Sequence, residues 1–281
     1  MPTTSVRSRR EQVVRRLDWT FPAAPVEREL LEVLPDEPDP AKPPLLFVHG
    51  AWHGAWCWQE HWMPAAAAAG WRTYAVSLRG HGGSARTGRY DTTTLRHYQH
   101  DVLQAITELP APPVLIGHSM GGLVIQGVME RYRSAPAGVL LASVPPRHGV
   151  EALPSLLRHD PRMLVQALAG RRITPEPETF FGPSSQPDER DAYLARLGDE
   201  SWLATQQLVL PRRVPDIRSP LLVLGGEQDR LQPVHAVTRT ARTYGTRARI
   251  FRGMGHQLML EPGWDAVLDV TLGWLEDTLG V

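Results

Sequence analysis

Residues 114–121 read Val-Leu-Ile-Gly-His-Ser-Met-Gly, which places Ser119 between two glycines directly after an apolar run. The following residues, 122–129, have the apolar character of a buried helix. A strand, a sharp turn and a helix form the context that a nucleophile elbow requires. Glycine on either side of the serine removes the Cβ atoms that would crowd such a turn. We therefore interpret Ser119 as a nucleophile; the alternative is an ordinary strand-to-helix turn that contains a serine.

The composition excludes several classes of protein. The 281 residues carry a formal net charge of +0, so we expect neither nucleic acid nor an anionic membrane surface as a partner. Cys57 is the only cysteine, which rules out an intramolecular disulfide and favours a small buried hydrophobe. The basic N-terminus (Arg7, Arg9, Arg10) lacks the apolar stretch of a secretory signal, and no run approaches the roughly 18 apolar residues of a membrane span. We expect a soluble, cytoplasmic protein; the sequence does not indicate its oligomeric state.

Apolar runs alternate with helical patterns along most of the chain. The strand candidates are Leu45–Val48, Arg72–Leu78, Pro113–Ile116, Gly138–Val144 and Pro220–Gly225, and the helix candidates between them include Trp58–Ala69 and Asp101–Leu109. Continuous apolar strands separated by helices are typical of a mostly parallel sheet with helices on both faces. The sequence therefore predicts the α/β class.

The chain divides into three regions. Residues 1–44 form a polar lead-in with a first strand or hairpin arm at Glu27–Leu34, whereas 45–146 and 215–281 form the α/β core. Residues 147–214 contain short helical patterns, such as Glu151–Arg158 and Arg190–Leu197, separated by prolines, together with aromatic residues that we expect to be exposed. We interpret 147–214 as a helical cap, because an irregular connection of that length is uncommon in a compact domain.

A serine hydroxyl needs a base, and the base needs a carboxylate that orients it. The buried strand expected at Pro220–Gly225 runs into a turn that carries Glu227 and Asp229, and a short strand leads into a glycine-rich loop that ends at His256. We favour Asp229 over the competing acid Glu227, because a carboxylate just past the turn can reach back toward the base while Glu227 stays solvated. His118, next to Ser119, is expected to be a packing neighbour and not the base. All these residues would follow strand ends, where open α/β sheets place their sites.

Acyl transfer also needs backbone N–H groups that stabilise the oxyanion. One donor is expected to be Met120, directly after the nucleophile. The loop after the strand at 45–48 repeats the tetrapeptide His-Gly-Ala-Trp at 49–52 and 53–56. The first copy lies at the strand end, which makes the Ala51 N–H the second donor, and we interpret His53 in the second copy as structural.

Together these residues resemble the α/β-hydrolase superfamily, from about Leu45 to the C-terminus. Residues 47–56 are similar to the branch of plant methyl esterases and hydroxynitrile lyases. The resemblance implies an α/β-hydrolase fold with a helical cap insertion, a triad of Ser119, Asp229 and His256, and an oxyanion hole formed by Ala51 and Met120.

Several positions separate the members of that superfamily. The lyases carry a lysine after the catalytic histidine and a threonine in the oxyanion loop, where this chain has Gln257 and Gly50. A serine nucleophile disfavours epoxide hydrolases and dehalogenases, which use a carboxylate. Ser77 stands where many bacterial members have an aspartate, a departure that affects hydrogen bonding inside the turn and leaves the chemistry intact.

We therefore expect a cofactor-independent serine hydrolase, a carboxylesterase for small to medium apolar esters that acts through an acyl-enzyme. A lactonase or carbon–carbon bond hydrolase would use the same triad; an acyltransferase, a perhydrolase, a lyase and a non-catalytic ligand receptor are further alternatives. No metal site is expected, because the pairs at 49/53 and 97/100 lack carboxylate or cysteine partners, and His97 and His100 are expected on a solvated helix face. The pocket candidates are Trp52, Phe180, Phe181, Trp202 and Leu258, of which the three cap aromatics (180, 181 and 202) could equally serve cap-to-core packing.

Overall fold

The computed structural model describes residues 23–86, 88, 90–169 and 173–281. Within these ranges, a seven-stranded sheet has the order β1-β3-β2-β4-β5-β6-β7, and only β1 runs antiparallel to its neighbour. The strands are β1 Leu30–Val33, β2 Leu45–Val48, β3 Thr73–Val76, β4 Val114–His118, β5 Gly138–Leu141, β6 Leu221–Gly226 and β7 Ala248–Phe251. The mostly parallel sheet that the alternating pattern predicts is confirmed. The expectation of a first strand within Glu27–Leu34 is confirmed by β1, whereas the basic N-terminus and the rest of residues 1–22 lie outside the described residues.

The registers bring the functional loops to one edge of the sheet. Val48 at the end of β2 pairs with Gly117 in β4, and Leu141 at the end of β5 pairs with His118. Leu224 in β6 pairs with Leu141. Because these strands are parallel and in step, the loops after β2, β4 and β6 leave the sheet side by side, as the location of sites in open α/β sheets requires.

Helices cover both faces of the sheet. In the described ranges they are α1 Trp56–Gln59, α2 Trp62–Ala68, α3 Leu95–Glu108, α4 Met120–Arg131, α5 Ala152–His159, α6 Pro161–Leu168, α7 Pro177–Phe180, α8 Pro187–Ala195, α9 Trp202–Val209, α10 Val234–Thr243 and α11 Trp264–Leu279, with a 3₁₀ turn at Tyr90–Thr92. The single helix expected at Trp58–Ala69 is wrong: His61 has a non-helical backbone and separates α1 from α2.

Helix α3 is longer than its sequence pattern indicates. It begins at Leu95 and not at Asp101, because Thr94 and His97 form a capping box in which the Thr94 N–H donates to His97 Nδ1 at 2.9 Å. The expectation that His97 and His100 lie on a solvated face is wrong for His100, which is only 5% exposed. Asp101 is also buried, because it accepts hydrogen bonds from the Arg79 guanidinium.

The core has one cluster on each face of the sheet. Leu45 and Phe47 of β2 belong to one cluster, and Leu46 and Val48 belong to the other. This alternation follows from the two-residue period of a strand, and the burial of both faces explains why β2 is apolar throughout. Cys57 is buried in the first cluster, where burial raises the pKa of its thiol.

Five helices, α5 to α9, lie between β5 and β6 in the region that we expect to be the cap. The expectation that its aromatic residues are exposed is wrong for Phe180 and Phe181, which are buried, while Trp202 is 43% exposed. Throughout the described ranges, no helix has both the length and the apolar character needed to cross a membrane.

Candidate active site

Ser119 occupies a strained turn between β4 and α4. Its φ of 51° and ψ of −116° are unfavourable for a residue with a side chain, and such strain is typical of functional positions. A Cβ atom on Gly117 would lie 2.6 Å from the carbonyl oxygen of Gly121, and one on Gly121 would collide with the carbonyl oxygens of Val48 and His49. The two glycines therefore allow the strand, the helix and the neighbouring loop to approach closely enough to form the elbow.

Asp229 and His256 form a buried pair at the same edge of the sheet. His256 Nδ1 and Asp229 Oδ2 are 2.8 Å apart, and both side chains are buried. The other carboxylate oxygen, Oδ1, accepts the N–H groups of Leu231 and Gln232, each at 2.8 Å. Because a carboxylate oxygen accepts, this contact assigns the Nδ1–H to Asp229 and leaves Nε2 as the ring nitrogen for proton transfer.

The competing acid lies away from this pair. Glu227 is exposed and its carboxylate accepts the N–H of Gly253 at 3.1 Å. The turn after β6 therefore separates its two carboxylates, with Asp229 turned inward toward the imidazole and Glu227 turned outward.

Three groups hold the loop of His256. The His256 N–H donates to the carbonyl oxygen of Phe180, and His118 Nε2 donates to the carbonyl oxygen of His256, each at 2.9 Å. Glu261 accepts the N–H groups of Gly255 and Gln257 on either side of the histidine, and also that of Gly182, at 2.8–2.9 Å. Burial raises the pKa of Glu261, although these three hydrogen bonds oppose the shift. In the sequence, Glu261 is marked only by its position directly after the apolar run at 258–260.

Two histidines orient the loop after β2. The Leu78 N–H donates to His49 Nε2 at 3.0 Å, so the proton of this ring is on Nδ1, which donates to the Gly50 carbonyl oxygen at 2.7 Å. His53 Nδ1 likewise lies 2.8 Å from the Ala51 carbonyl oxygen. Burial lowers the pKa of both rings, for His53 to about 4, so both are neutral near pH 7.

This arrangement determines the direction of the Ala51 N–H. The carbonyl and N–H of a trans peptide point in opposite directions, so a fixed Gly50 carbonyl also fixes the Ala51 N–H. Within the described part of the chain the Ala51 N–H has no hydrogen-bond acceptor. Met120 is the first residue of α4, where an N–H has no partner within the helix. Both amides are thus available to an oxyanion.

An apolar cavity opens beside Ser119. It contains about 730 Å³ of space between atoms, part of it open to solvent, and helices α5, α6 and α9 contribute to its wall. Trp52 lines the cavity with Ala51, but the other four pocket candidates do not. Phe180 and Leu258 are buried in the core instead, and Phe180 packs edge-on against Trp52 and His256.

The remaining pocket candidates also have other contacts. Phe181 stacks on Tyr193, and the Trp202 indole donates to the Leu168 carbonyl oxygen at the outer surface. The cavity wall is formed mainly by aliphatic residues that the sequence did not single out, namely Val144, Ala152, Leu153, Leu156, Met163, Leu164, Ala167, Leu168, Leu208, Val209 and Leu231. As for metals, no group of three or more potential ligands among His, Cys, Asp and Glu occurs in the residues that the structure describes.

The fold and this site define a class of protein. The sequence model described as "Alpha/beta hydrolase family" matches residues 45–270, and the chain belongs to that family. The resemblance to plant methylesterases is also confirmed: Methylesterase 3 of Arabidopsis thaliana is 38% identical over 90 residues, which cover 31% of this chain and 34% of the relative. That match therefore spans about a third of the plant protein.

Longer matches extend over most of the chain. A carbendazim hydrolyzing esterase from Nocardioides sp. (strain SG-4G) is 28% identical over 238 residues, which cover 79% of this chain and 89% of the relative. Among solved structures, a thermophilic esterase from Thermogutta terrifontis superimposes with a TM-score of 0.70 at 19% identity and covers 92% of this chain and 97% of that one. At that identity the structural likeness concerns the fold alone.

Proposed function

We propose that this protein is a cofactor-independent serine hydrolase, a carboxylesterase that cleaves small to medium apolar esters through an acyl-enzyme. The observation that carries the proposal is the buried 2.8 Å pair of Asp229 and His256, which shares a sheet edge with Ser119 in its strained elbow. A strained serine, a neutral imidazole and an oriented carboxylate are the parts that nucleophilic acyl transfer requires.

The proposed reaction has two stages, acylation of Ser119 and hydrolysis of the acyl-enzyme. Ser119 Oγ attacks the ester carbonyl carbon while His256 Nε2 takes its proton, and the oxyanion is stabilised by the N–H groups of Ala51 and Met120. His256 then gives the proton to the departing alcohol. A water molecule, deprotonated by the same imidazole, attacks the acyl-enzyme and releases the acid and the serine. Asp229 keeps the proton of His256 on Nδ1 throughout.

The cavity favours neutral substrates. No charged side chain occurs among the described residues that line it, and its wall is largely aliphatic. A carboxylate or ammonium group on the substrate would lose its hydration there without gaining a partner, which is costly. The relatives named as esterases support ester hydrolysis, and we therefore place neutral esters before charged ones.

Packing around Gly50 supports an esterase over a lyase. A Cβ atom on this residue would lie 2.7 Å from His118 Nδ1 and 3.0 Å from Ser119 Cβ. The threonine of the lyases would therefore need a rearrangement of the elbow. Gln257, which stands in place of their lysine, has no positive charge to stabilise a departing cyanide.

Hydrolysis rates on p-nitrophenyl esters of increasing acyl length test the proposal. We expect turnover that peaks at one chain length and falls by about a millionfold in Ser119→Ala, as removal of a triad nucleophile does elsewhere. Ser184→Ala is the matched control, because Ser184 is exposed and should keep full activity. Activity of Ser119→Ala near that of the wild type would refute the proposal. Wild-type turnover of lactones, carbon–carbon substrates or acyl acceptors, but not of esters, would identify one of the alternatives that share the triad.

A further inference from the structure

Two glutamines interrupt the apolar wall of the cavity. Gln232 follows the turn of Asp229, and Gln206 lies on cap helix α9, so the two approach the cavity from the core and from the cap. Apart from Ser119, the wall has one further residue with a polar side chain, Thr205. Its hydroxyl already donates to the Ser201 carbonyl oxygen at 3.0 Å.

Each of these glutamines has one side-chain amide atom that is buried without a partner in the described residues. Gln232 is 5% exposed, and its Oε1 has no hydrogen-bond partner among the described residues. The Nε2 atom of Gln206 is likewise buried without a partner in the part of the chain that the structure describes. The next residue shows the contrast: Gln207 accepts the Leu95 N–H at 2.8 Å and has a structural role.

A buried amide atom without a hydrogen-bond partner destabilises the folded protein. Other buried polar atoms in the described ranges also lack partners, such as the indole nitrogens of Trp58 and Trp62, but these lie in the packed core. Gln232 and Gln206 differ because they border a cavity that also contains the nucleophile. Both atoms are closed to solvent as the side chains now lie, so each side chain must rotate before a substrate can use its hydrogen-bonding capacity.

We propose that Gln232 and Gln206 bind a hydroxyl group of the substrate, so that the preferred esters are neutral, mainly apolar and hydroxylated. A hydroxyl can both donate, as Gln232 Oε1 needs, and accept, as Gln206 Nε2 needs, so it suits either amide. A hydroxyl carries no charge, which suits a cavity wall that is otherwise apolar. This inference rests on the proposed function, because it assigns substrate specificity to the cavity of Ser119.

Binding of matched ester pairs tests the inference independently of turnover. One pair places the hydroxyl on the alcohol side (2-hydroxyethyl butyrate against propyl butyrate), and the other on the acyl side (ethyl 3-hydroxybutyrate against ethyl 3-methylbutyrate). In each pair a methyl group replaces the hydroxyl. Calorimetry on the Ser119→Ala protein gives the ratio of dissociation constants within each pair. We expect the hydroxylated ester of at least one pair to bind about tenfold more tightly, and Ser119→Ala/Gln232→Met to lose that preference.

Gln59→Met in the same background is the control, because Gln59 is exposed at the end of α1 and its replacement should leave the ratio unchanged. The inference is overturned if, for both ester pairs, the ratio of dissociation constants is the same in Ser119→Ala and in Ser119→Ala/Gln232→Met. A clear fall of the melting temperature in Gln232→Met overturns it as well, because loss of an unsatisfied amide should leave stability unchanged or raise it. If the wild type hydrolyses no ester but the binding preference is present and depends on Gln232, the proposed hydrolysis fails while this inference stands.

Discussion

A hydrogen bond of 2.9 Å joins the side chain of His118 to the backbone carbonyl of His256. The residue before Ser119 therefore holds the loop that carries His256. Because a carbonyl only accepts, the proton of His118 is on Nε2, and burial lowers the pKa of this ring, which keeps it neutral. We therefore expect His118 to position this loop and not to act as a second base.

This relationship predicts different effects for two substitutions of His118. Glutamine can supply an N–H near the position of Nε2, whereas leucine cannot. We expect His118→Leu to lower kcat by about 10- to 100-fold, because small displacements of a catalytic group are costly, and His118→Gln to recover most of the loss. Steady-state kinetics across pH provide the check: an unchanged pH profile in His118→Gln indicates positioning, while equal losses in both variants would contradict it.

Gly50 provides a prediction about the oxyanion loop. Because a Cβ atom there would press on His118 and Ser119, we expect Gly50→Ala to reduce kcat/KM by about 100-fold, comparable to the loss of an oxyanion donor. The matched control is Gly273→Ala within α11, where a Cβ atom would meet nothing within 4 Å. That variant should keep full activity and gain about 0.5–1 kcal/mol of stability. Equal activity of the two variants would show that the loop tolerates a side chain at position 50.

Glu261 supports the His256 loop through three backbone hydrogen bonds. The amide of Glu261→Gln cannot accept at both ends, so at least one N–H loses its acceptor and the loop shifts. We expect this variant to lose about 1–3 kcal/mol of unfolding free energy and about 10- to 100-fold in kcat. Urea unfolding and steady-state kinetics measure both effects.

The exposed Glu227 offers the control for this prediction, since Glu227→Gln should change stability by at most about 0.5 kcal/mol and leave kcat unaffected. The same variant tests the competing acid. A large loss of kcat in Glu227→Gln would mean that Glu227, and not Asp229, orients the base.

Buried neutral histidines predict a loss of stability in mild acid. Burial is the main cause that lowers the pKa of His53 to about 4 from an ordinary value of 6.5, and it also lowers those of His49 and His118. As pH falls below about 6.5, these histidines become protonated in the unfolded chain but stay neutral in the folded chain. The stability present above that pH is therefore lost progressively down to about pH 4. Between pH 7.5 and 5, His53 alone should account for about 2 kcal/mol.

Urea unfolding at several pH values measures this loss. His53→Asn, whose side-chain amide can still donate to the Ala51 carbonyl oxygen, should show a smaller loss between pH 7.5 and 5 than the wild type. His159→Gln is the control, because His159 is exposed and its removal should leave the pH dependence unchanged. Identical pH dependence in all three proteins would mean that His53 titrates normally in the folded state.

The sequence was most informative where a candidate catalytic residue directly follows a strand. The elbow at Ser119 could be predicted because two glycines, an apolar run and an apolar helix are neighbours in the chain. Asp229 and His256 could be found for the same reason, since each follows a strand end and parallel strands bring such ends together.

Features that depend on distant packing could not be predicted in this way. The residues of the cavity wall could not be predicted because the sequence does not show which side of each helix between β5 and β6 turns inward. The aliphatic side turns inward, while Trp202 faces outward and Phe180 is buried in the core. The turn after β3 is a second example. The Ser77 hydroxyl donates to the carboxylate of Glu29, a residue 48 positions earlier, and nothing near Ser77 in the chain indicates that partner.

Covalent labelling measures whether Ser119 is a nucleophile that His256 and Asp229 activate. A fluorophosphonate should add once to the protein, on the peptide that contains Ser119, as read by mass spectrometry. We expect no adduct in Ser119→Ala and labelling slowed by up to about 10⁴-fold in Asp229→Asn, where the imidazole would hold the wrong tautomer. An adduct on another residue, or equal labelling rates in the wild type and Asp229→Asn, would contradict this account.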